Sequence, residues 1–181
     1  MRRTLISFGY YKTTPEAIPP QYSTDHAACF DLCACLVPGT ELVGYTRFNE
    51  KIWNERNVGK DKTVTIFPRD RMLIPTGLVF SIPVGYSIRI HPRSGLSLKS
   101  GIQLSNCEGI IDSDYTLETF ISVINSADVP FKISHGDRIA QAELVRDTRA
   151  TFTEIFEKPT RDSNRSGGFG STGLATQTGQ P

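Results

Sequence analysis

Apolar and polar side chains alternate with a period of two along much of this chain. Ile88 and Ile90 alternate with Arg89 and His91, Phe131 and Ile133 with Lys132 and Ser134, and Ile121 and Val123 lie between Phe120, Ser122 and Ile124. Successive side chains of a strand point to opposite faces, so this spacing marks strands with one face toward a core. Short β-rich runs, TVTIF, LVFSI, YSIRI, TFISVIN and RIAQAELV, are bounded by Pro, Gly, Asn or Asp, and 11 prolines and 15 glycines suit many tight turns. Many short strands at close spacing predict an all-β barrel or sandwich.

Two stretches break the alternation. Residues 44–63, GYTRFNEKIWNERNVGKDKT, are polar and hold the single tryptophan, Trp53. Phe48 and Ile52 are four apart and Gly59 could end a helix, so a helix of a few turns and a long hairpin both fit, most simply as a surface excursion. From Pro159 onward, PTRDSNRSGGFGSTGLATQTGQP reads as a loop or tail. The domain organisation expected is a β domain over residues 1–158, with 44–63 inserted, and a flexible tail over 159–181.

A chain of 181 residues can bury very roughly 70% of its unfolded surface in one domain. Its 20 basic and 19 acidic residues leave a net charge of +1, which argues against a nucleic-acid binder. No run of eighteen apolar residues exists and the first twenty residues hold no apolar signal core, so a cytoplasmic protein without membrane contact is expected. Cys29, Cys33, Cys35 and Cys107 form no C-x-x-C pair and three histidines give no zinc spacing, so the cysteines read as reduced, mostly buried residues.

Candidate chemistry gathers in a few stretches. In CEGIIDSDYTLE, an extended Ile110–Tyr115 would put Asp112 and Asp114 on one side about 6.5 Å apart, where a carboxylate could take a proton from water; the same Asp-Ser-Asp also reads as a turn or cap. HPRSGLSLKSG follows a strand and offers Arg93 as a fork of donors, Ser94 as a hydroxyl, and Gly95 as a place where backbone N–H groups can approach an anion. Gln141 falls on a strand in HGDRIAQAELV. Asp31, among small and apolar residues in AACFDLCACL, needs a donor network or a metal-bound phosphate. The G-x-G-x-x-G of Gly168–Gly173 lacks the following helix and strand of a dinucleotide site, and no G-K-[ST] is present.

Taken in order, AACFDLCA, PRSGLSLKSGI, NCEGIIDSDYTLE, GDRIAQAEL and RSGGFGSTG resemble the five motifs of the trimeric dUTPase family, over roughly residues 22–173. The resemblance implies a jelly-roll or β-barrel-like fold and a homotrimer with each site built from all three chains. It implies dUTP as substrate, cleaved to dUMP and pyrophosphate with Mg²⁺ bound across the triphosphate. By position, Asp112 would activate the water attacking the α-phosphorus. Asn106 would lie at the uracil edge in a β-hairpin pocket, and Tyr115 would pack under the deoxyribose. Arg93, Ser94, Gly95 and Gln141 would hold phosphates, and Asp31 would help organise Mg²⁺ through water or phosphate. Phe169 would stack on uracil, with Arg165, Gly170, Ser171 and Thr172 at the phosphates.

Ordering eight tail residues costs on the order of 8–16 kcal/mol of backbone entropy, against about 1–3 kcal/mol for stacking one aromatic ring on a base. Phosphate contacts must therefore share in closing such a lid. Departures from the family pattern fall at Cys29, usually glycine; at Thr116-Leu117, usually Arg-Gly or Gln-Gly; and at Arg165, one residue closer to the glycines than usual, with Arg161 as second candidate. The inserted 44–63 matches the habit of some viral members, which raises a protein partner there and a regulatory binding role as an alternative. A dCTP deaminase of the same superfamily would carry a glutamate on the strand after the third motif; TFISVIN has none.

Overall fold

The computed structural model describes residues 6–52 and 58–160. Residues up to Thr148 form one compact unit, and residues from Arg149 belong to a second.

Within the first unit the strands are β1 (Gly9–Lys12), β2 (Gln21–Tyr22), β3 (Phe30–Cys33), β4 (Gly44–Tyr45), β5 (Lys51–Ile52), β6 (Thr63–Ile66), β7 (Arg71–Pro75), β8 (Leu78–Ser81) and β9 (Tyr86–His91). A short helix, α1 (Ser94–Ser100), follows, and then β10 (Ile102–Leu104), β11 (Gly109–Ile111), β12 (Phe120–Asn125), β13 (Phe131–Ser134) and β14 (Arg138–Arg146). Two five-stranded antiparallel sheets run β10-β12-β7-β4-β5 and β11-β9-β14-β3-β2, with pairs β1-β8 and β13-β6 beside them. The expected period-two positions face inward: Ile88 and Ile90 from one sheet share a core with Ile121, Val123, Met72 and Ile74 from the other. The alternation predicted an all-β barrel or sandwich and the resemblance a jelly roll, and the architecture is all-β and jelly-roll-like.

Among the described residues the buried polar side chains are matched apart from the Thr119 hydroxyl. Asn125 is fully buried at the end of β12, and its amide donates to the carbonyls of Ile66 and Val129 at 2.9 and 2.8 Å while its oxygen accepts from the Ala127 N–H. That side chain ties β12 to β6. Gly77, at φ +68°, closes the β7–β8 turn; a Cβ there would lie 2.6 Å from the Ala17 Cβ and 2.9 Å from the Cys35 sulfur.

Several expectations change. The 44–52 stretch is a hairpin, because Asn49 takes a left-handed φ of 63° and Thr46 accepts N–H groups from Phe48 and Glu50, which breaks any helix at its second turn. Its first strand is tied to the sheet. Gly44 pairs with Met72 of β7, where a Cβ would meet the Arg71 carbonyl at 2.7 Å, and Ile52 and Val58 are buried. Trp53 lies outside the described residues.

The extended reading of Ile110–Tyr115 fails: β11 stops at Ile111, and the Tyr115 N–H closes a turn onto the Asp112 carbonyl at 3.1 Å. The flanking strands β10 and β11 pair into different sheets, not with each other as a hairpin. The stretch after Pro92 is helical for seven residues until Gly101, at φ +68°, ends it. All four cysteines are free thiols, but only Cys35 is buried and Cys107 is exposed. Among the described residues no helix is long and apolar enough to cross a membrane.

Candidate active site

Asp31 sits on the outward face of β3 with its side chain only 13% exposed. Of the two partners open to it from sequence, the structure supplies a donor network. Its Oδ1 pairs with the Arg93 Nε at 3.0 Å; its Oδ2 accepts from the Ser23 hydroxyl at 2.6 Å and from the Arg138 Nη1 at 3.0 Å. Burial alone would push this carboxyl up. The Ser23 and Arg138 hydrogen bonds and the Arg93 charge outweigh it and hold the group below the usual carboxylate range. The thiols of Cys29 and Cys33 on either side are pushed up, chiefly by burial and then by neighbouring carboxylates, so they stay protonated.

The ion pair orients the arginine. Arg93 is the N-cap residue of α1, and its Nη1 also donates to the Arg138 carbonyl at 3.1 Å, while its Nη2 group makes no hydrogen bond among the described residues. Gln141, paired with Asp31 on one side and His91 on the other, donates to the Pro92 carbonyl at 3.0 Å and fixes the backbone just before Arg93. Together Asp31, Arg93, Ser94, Gly95 and Gln141 line a cleft of about 700 Å³ with Lys99 on its wall. A Cβ on Gly95 would touch nothing, so the helix start opens directly onto the cleft. Two arginine or lysine charges, a hydroxyl and the unpaired N–H groups of a first helical turn suit an oligophosphate.

Among the described residues no three His, Cys, Asp or Glu side chains gather into a metal-binding cluster. Asp31, whose oxygens already accept from Arg93, Ser23 and Arg138, would fit a Mg²⁺ ion only as an outer acceptor through water or phosphate.

Asn106, Asp112 and Tyr115 do not line this cleft. Asn106 lies in an exposed turn, where its carbonyl accepts the Glu108 N–H at 2.7 Å and Cys107 adopts a φ of 63°. Asp112 is exposed just beyond β11, and the Tyr115 hydroxyl donates to the Glu118 carbonyl at 3.0 Å. Glu118 in turn accepts the Gly77 N–H at 2.8 Å, which pins the far end of this loop to the β7–β8 turn. Register separates the groups. Ile111 pairs with Ile88, five residues before Arg93, so Asp112 and Arg93 stand about 16 Å or more apart along β9. Arg161, Arg165, Phe169, Gly170, Ser171 and Thr172 lie outside the described residues. Ser23, Arg138 and Lys99 were not singled out from sequence; Arg138 and Lys99 fall inside motif stretches, where a cation beside an expected phosphate site was the available signal.

A family model described as dUTPase matches residues 58–173. The deoxyuridine 5'-triphosphate nucleotidohydrolase of Rhizobium rhizogenes is 39% identical over 156 residues, 86% of this chain and 85% of that protein. The chain belongs to the dUTPase family. The Finegoldia magna dUTPase is 49% identical over 113 residues, 62% of this chain and 78% of its own length. The dUTPase of Staphylococcus bacteriophage 80alpha, solved with dUPNHPP, superposes with a TM-score of 0.71 at 20% identity over 93% of this chain and 99% of its own. At that identity the likeness is one of fold, and the dUTPase fold is the architecture described above.

Proposed function

We propose that this dUTPase-family chain hydrolyses dUTP to dUMP and pyrophosphate in a homotrimer whose active sites are shared between chains. One observation carries the reading: the motif residues on a single chain fall into a phosphate cleft around Arg93 and a separate loop around Asp112. Arg93 would hold the β- and γ-phosphates while Asp112 serves a water at the α-phosphorus of the same nucleotide, and a gap of roughly 16 Å or more along β9 favours taking the two groups from different chains.

In this reading Asp31 aims the Arg93 fork, and the Nη2 group, the Ser94 hydroxyl and the first-turn N–H groups of α1 grip the β- and γ-phosphates. Gln141 keeps that helix start in place. When bound on the triphosphate, Mg²⁺ neutralises charge and polarises the α-phosphorus. Asp112 of a neighbouring chain orients a water and accepts its proton as the oxygen bonds to the α-phosphorus and the α–β bridging bond breaks, with pyrophosphate leaving. Asn106 reads the uracil edge and Tyr115 excludes a 2′-hydroxyl. Phe169, with Arg165, Gly170, Ser171 and Thr172, covers the filled site and keeps out other water. Phosphoryl transfer depends on positioning and charge neutralisation, which this set supplies.

The substitution Asp112→Asn tests the assignment. It should lower kcat by about 10²–10⁴ while dUPNHPP still binds; turnover close to wild type would remove Asp112 as the base.

A further inference from the structure

A polar row crosses the outer face of the β11-β9-β14-β3-β2 sheet. Asp31 pairs with Gln141 and Gln141 with His91. Gly109 pairs with Ile90, so Glu108, one residue earlier, falls beside His91. The row thus runs from the phosphate cleft to the turn that carries Asn106. His91, 28% exposed, stands between two carboxylates: its Nδ1 is 3.6 Å from the Glu108 Oε1 and its Nε2 is 3.2 Å from the Glu143 Oε1. Arg89, paired in register with Glu143, is drawn toward Asp147 at 3.9 Å, so it does not substitute for His91 at Glu108.

We infer that His91 is a positioning residue for substrate binding, holding the Asn106 turn against β14 through Glu108. The Glu143 contact is within hydrogen-bond distance, whereas the Glu108 contact at 3.6 Å is electrostatic and attracts when the imidazole carries both protons. The ring also stands between Glu108 and Glu143 and keeps the two carboxylates from facing each other across β9. The link to Asn106 is short and stiff, because the Glu108 N–H is bonded to the Asn106 carbonyl at 2.7 Å across the left-handed Cys107. A shift of Glu108 therefore moves Asn106. Nothing in the row reaches the reacting atoms, so the effect falls on nucleotide binding and leaves the chemical step alone. The inference rests on the dUTP reading above.

The test compares wild type, His91→Leu, Glu108→Gln and the double variant for dUTP turnover, for inhibition by inorganic tripolyphosphate and for melting temperature. Each single variant should raise KM about two- to fivefold with kcat within about twofold, the size of one partly exposed charge pair. The double variant should be no worse than His91→Leu, and tripolyphosphate inhibition should stay at the wild-type level because the cleft around Arg93 is untouched. An unchanged KM, a fall in kcat or tripolyphosphate affinity instead, a silent Glu108→Gln, or a lowered melting temperature that accounts for the loss would each overturn the role. Wild-type protein inactive on dUTP would instead sink the reading on which the inference rests.

Discussion

If Arg93 and Asp112 of one chain serve different active sites, two inactive variants should rescue each other. Asp112→Asn removes the base and keeps the phosphate cleft; Arg93→Ala does the reverse. Ile88, the partner of Ile111, lies five residues from Arg93, and at about 3.3 Å per residue that is a gap of roughly 16 Å. The α-phosphorus that Asp112 must serve through a water lies next to the phosphates that Arg93 would hold, so a gap of this size favours one group from each of two chains. The two variants, co-expressed with different tags and purified on both, give only mixed trimers. In a cyclic trimer of two kinds of chain, one junction joins an intact cleft to an intact Asp112, so activity should return to about a third of wild type. Either homotrimer alone should stay about 10²-fold or more below it. Pyrophosphate release per trimer is the assay. Mixed trimers no more active than the weighted sum of the two homotrimers would refute the shared site and return both residues to one chain.

Two further outcomes test how the site is held. Asp31→Asn should cost about 1–3 kcal/mol at pH 7, the worth of hydrogen bonds to a buried charge. Because the folded carboxyl is held below its ordinary value, the wild-type advantage in urea midpoint should be constant down to about pH 5 and shrink only as pH falls below about 4; a gap that closes between pH 7 and 5 would point to another group. Gly77→Ala places a Cβ 2.6 Å from Ala17 at a φ of +68°, and should lower stability by about 2–4 kcal/mol. Calorimetry showing a loss below about 1 kcal/mol would mean the β7–β8 turn relaxes freely.

The strands were legible because burial imposes a period of two: Ile88, Ile90, Ile121 and Val123 announce their faces in the sequence itself. The helix α1 was not, since it buries none of its residues and so leaves no 3.6-residue pattern to read. In the 44–52 hairpin the spacing of Phe48 and Ile52 imitates a helix, and the left-handed Asn49 with the Thr46 hydroxyl decides for the hairpin that the sequence had left open. At Asp112 the turn preference of Asp-Ser-Asp overrode the strand signal of Ile110–Ile111. The phosphate candidates were readable as local motifs, whereas the Arg138–Asp31 bond joins positions 107 residues apart and has no local signature. The separation of Arg93 from Asp112 is likewise a property of sheet register, visible only once β9 and β11 are paired.

The most direct measurement is pyrophosphate release with Mg²⁺ from dUTP, dCTP, dTTP and UTP in parallel, with ammonia followed in the dCTP reaction. Pyrophosphate should come from dUTP, and little from the other three, if Asn106 reads the base and Tyr115 the sugar as proposed. Ammonia from dCTP, or equal pyrophosphate from all four nucleotides, would contradict that proposal.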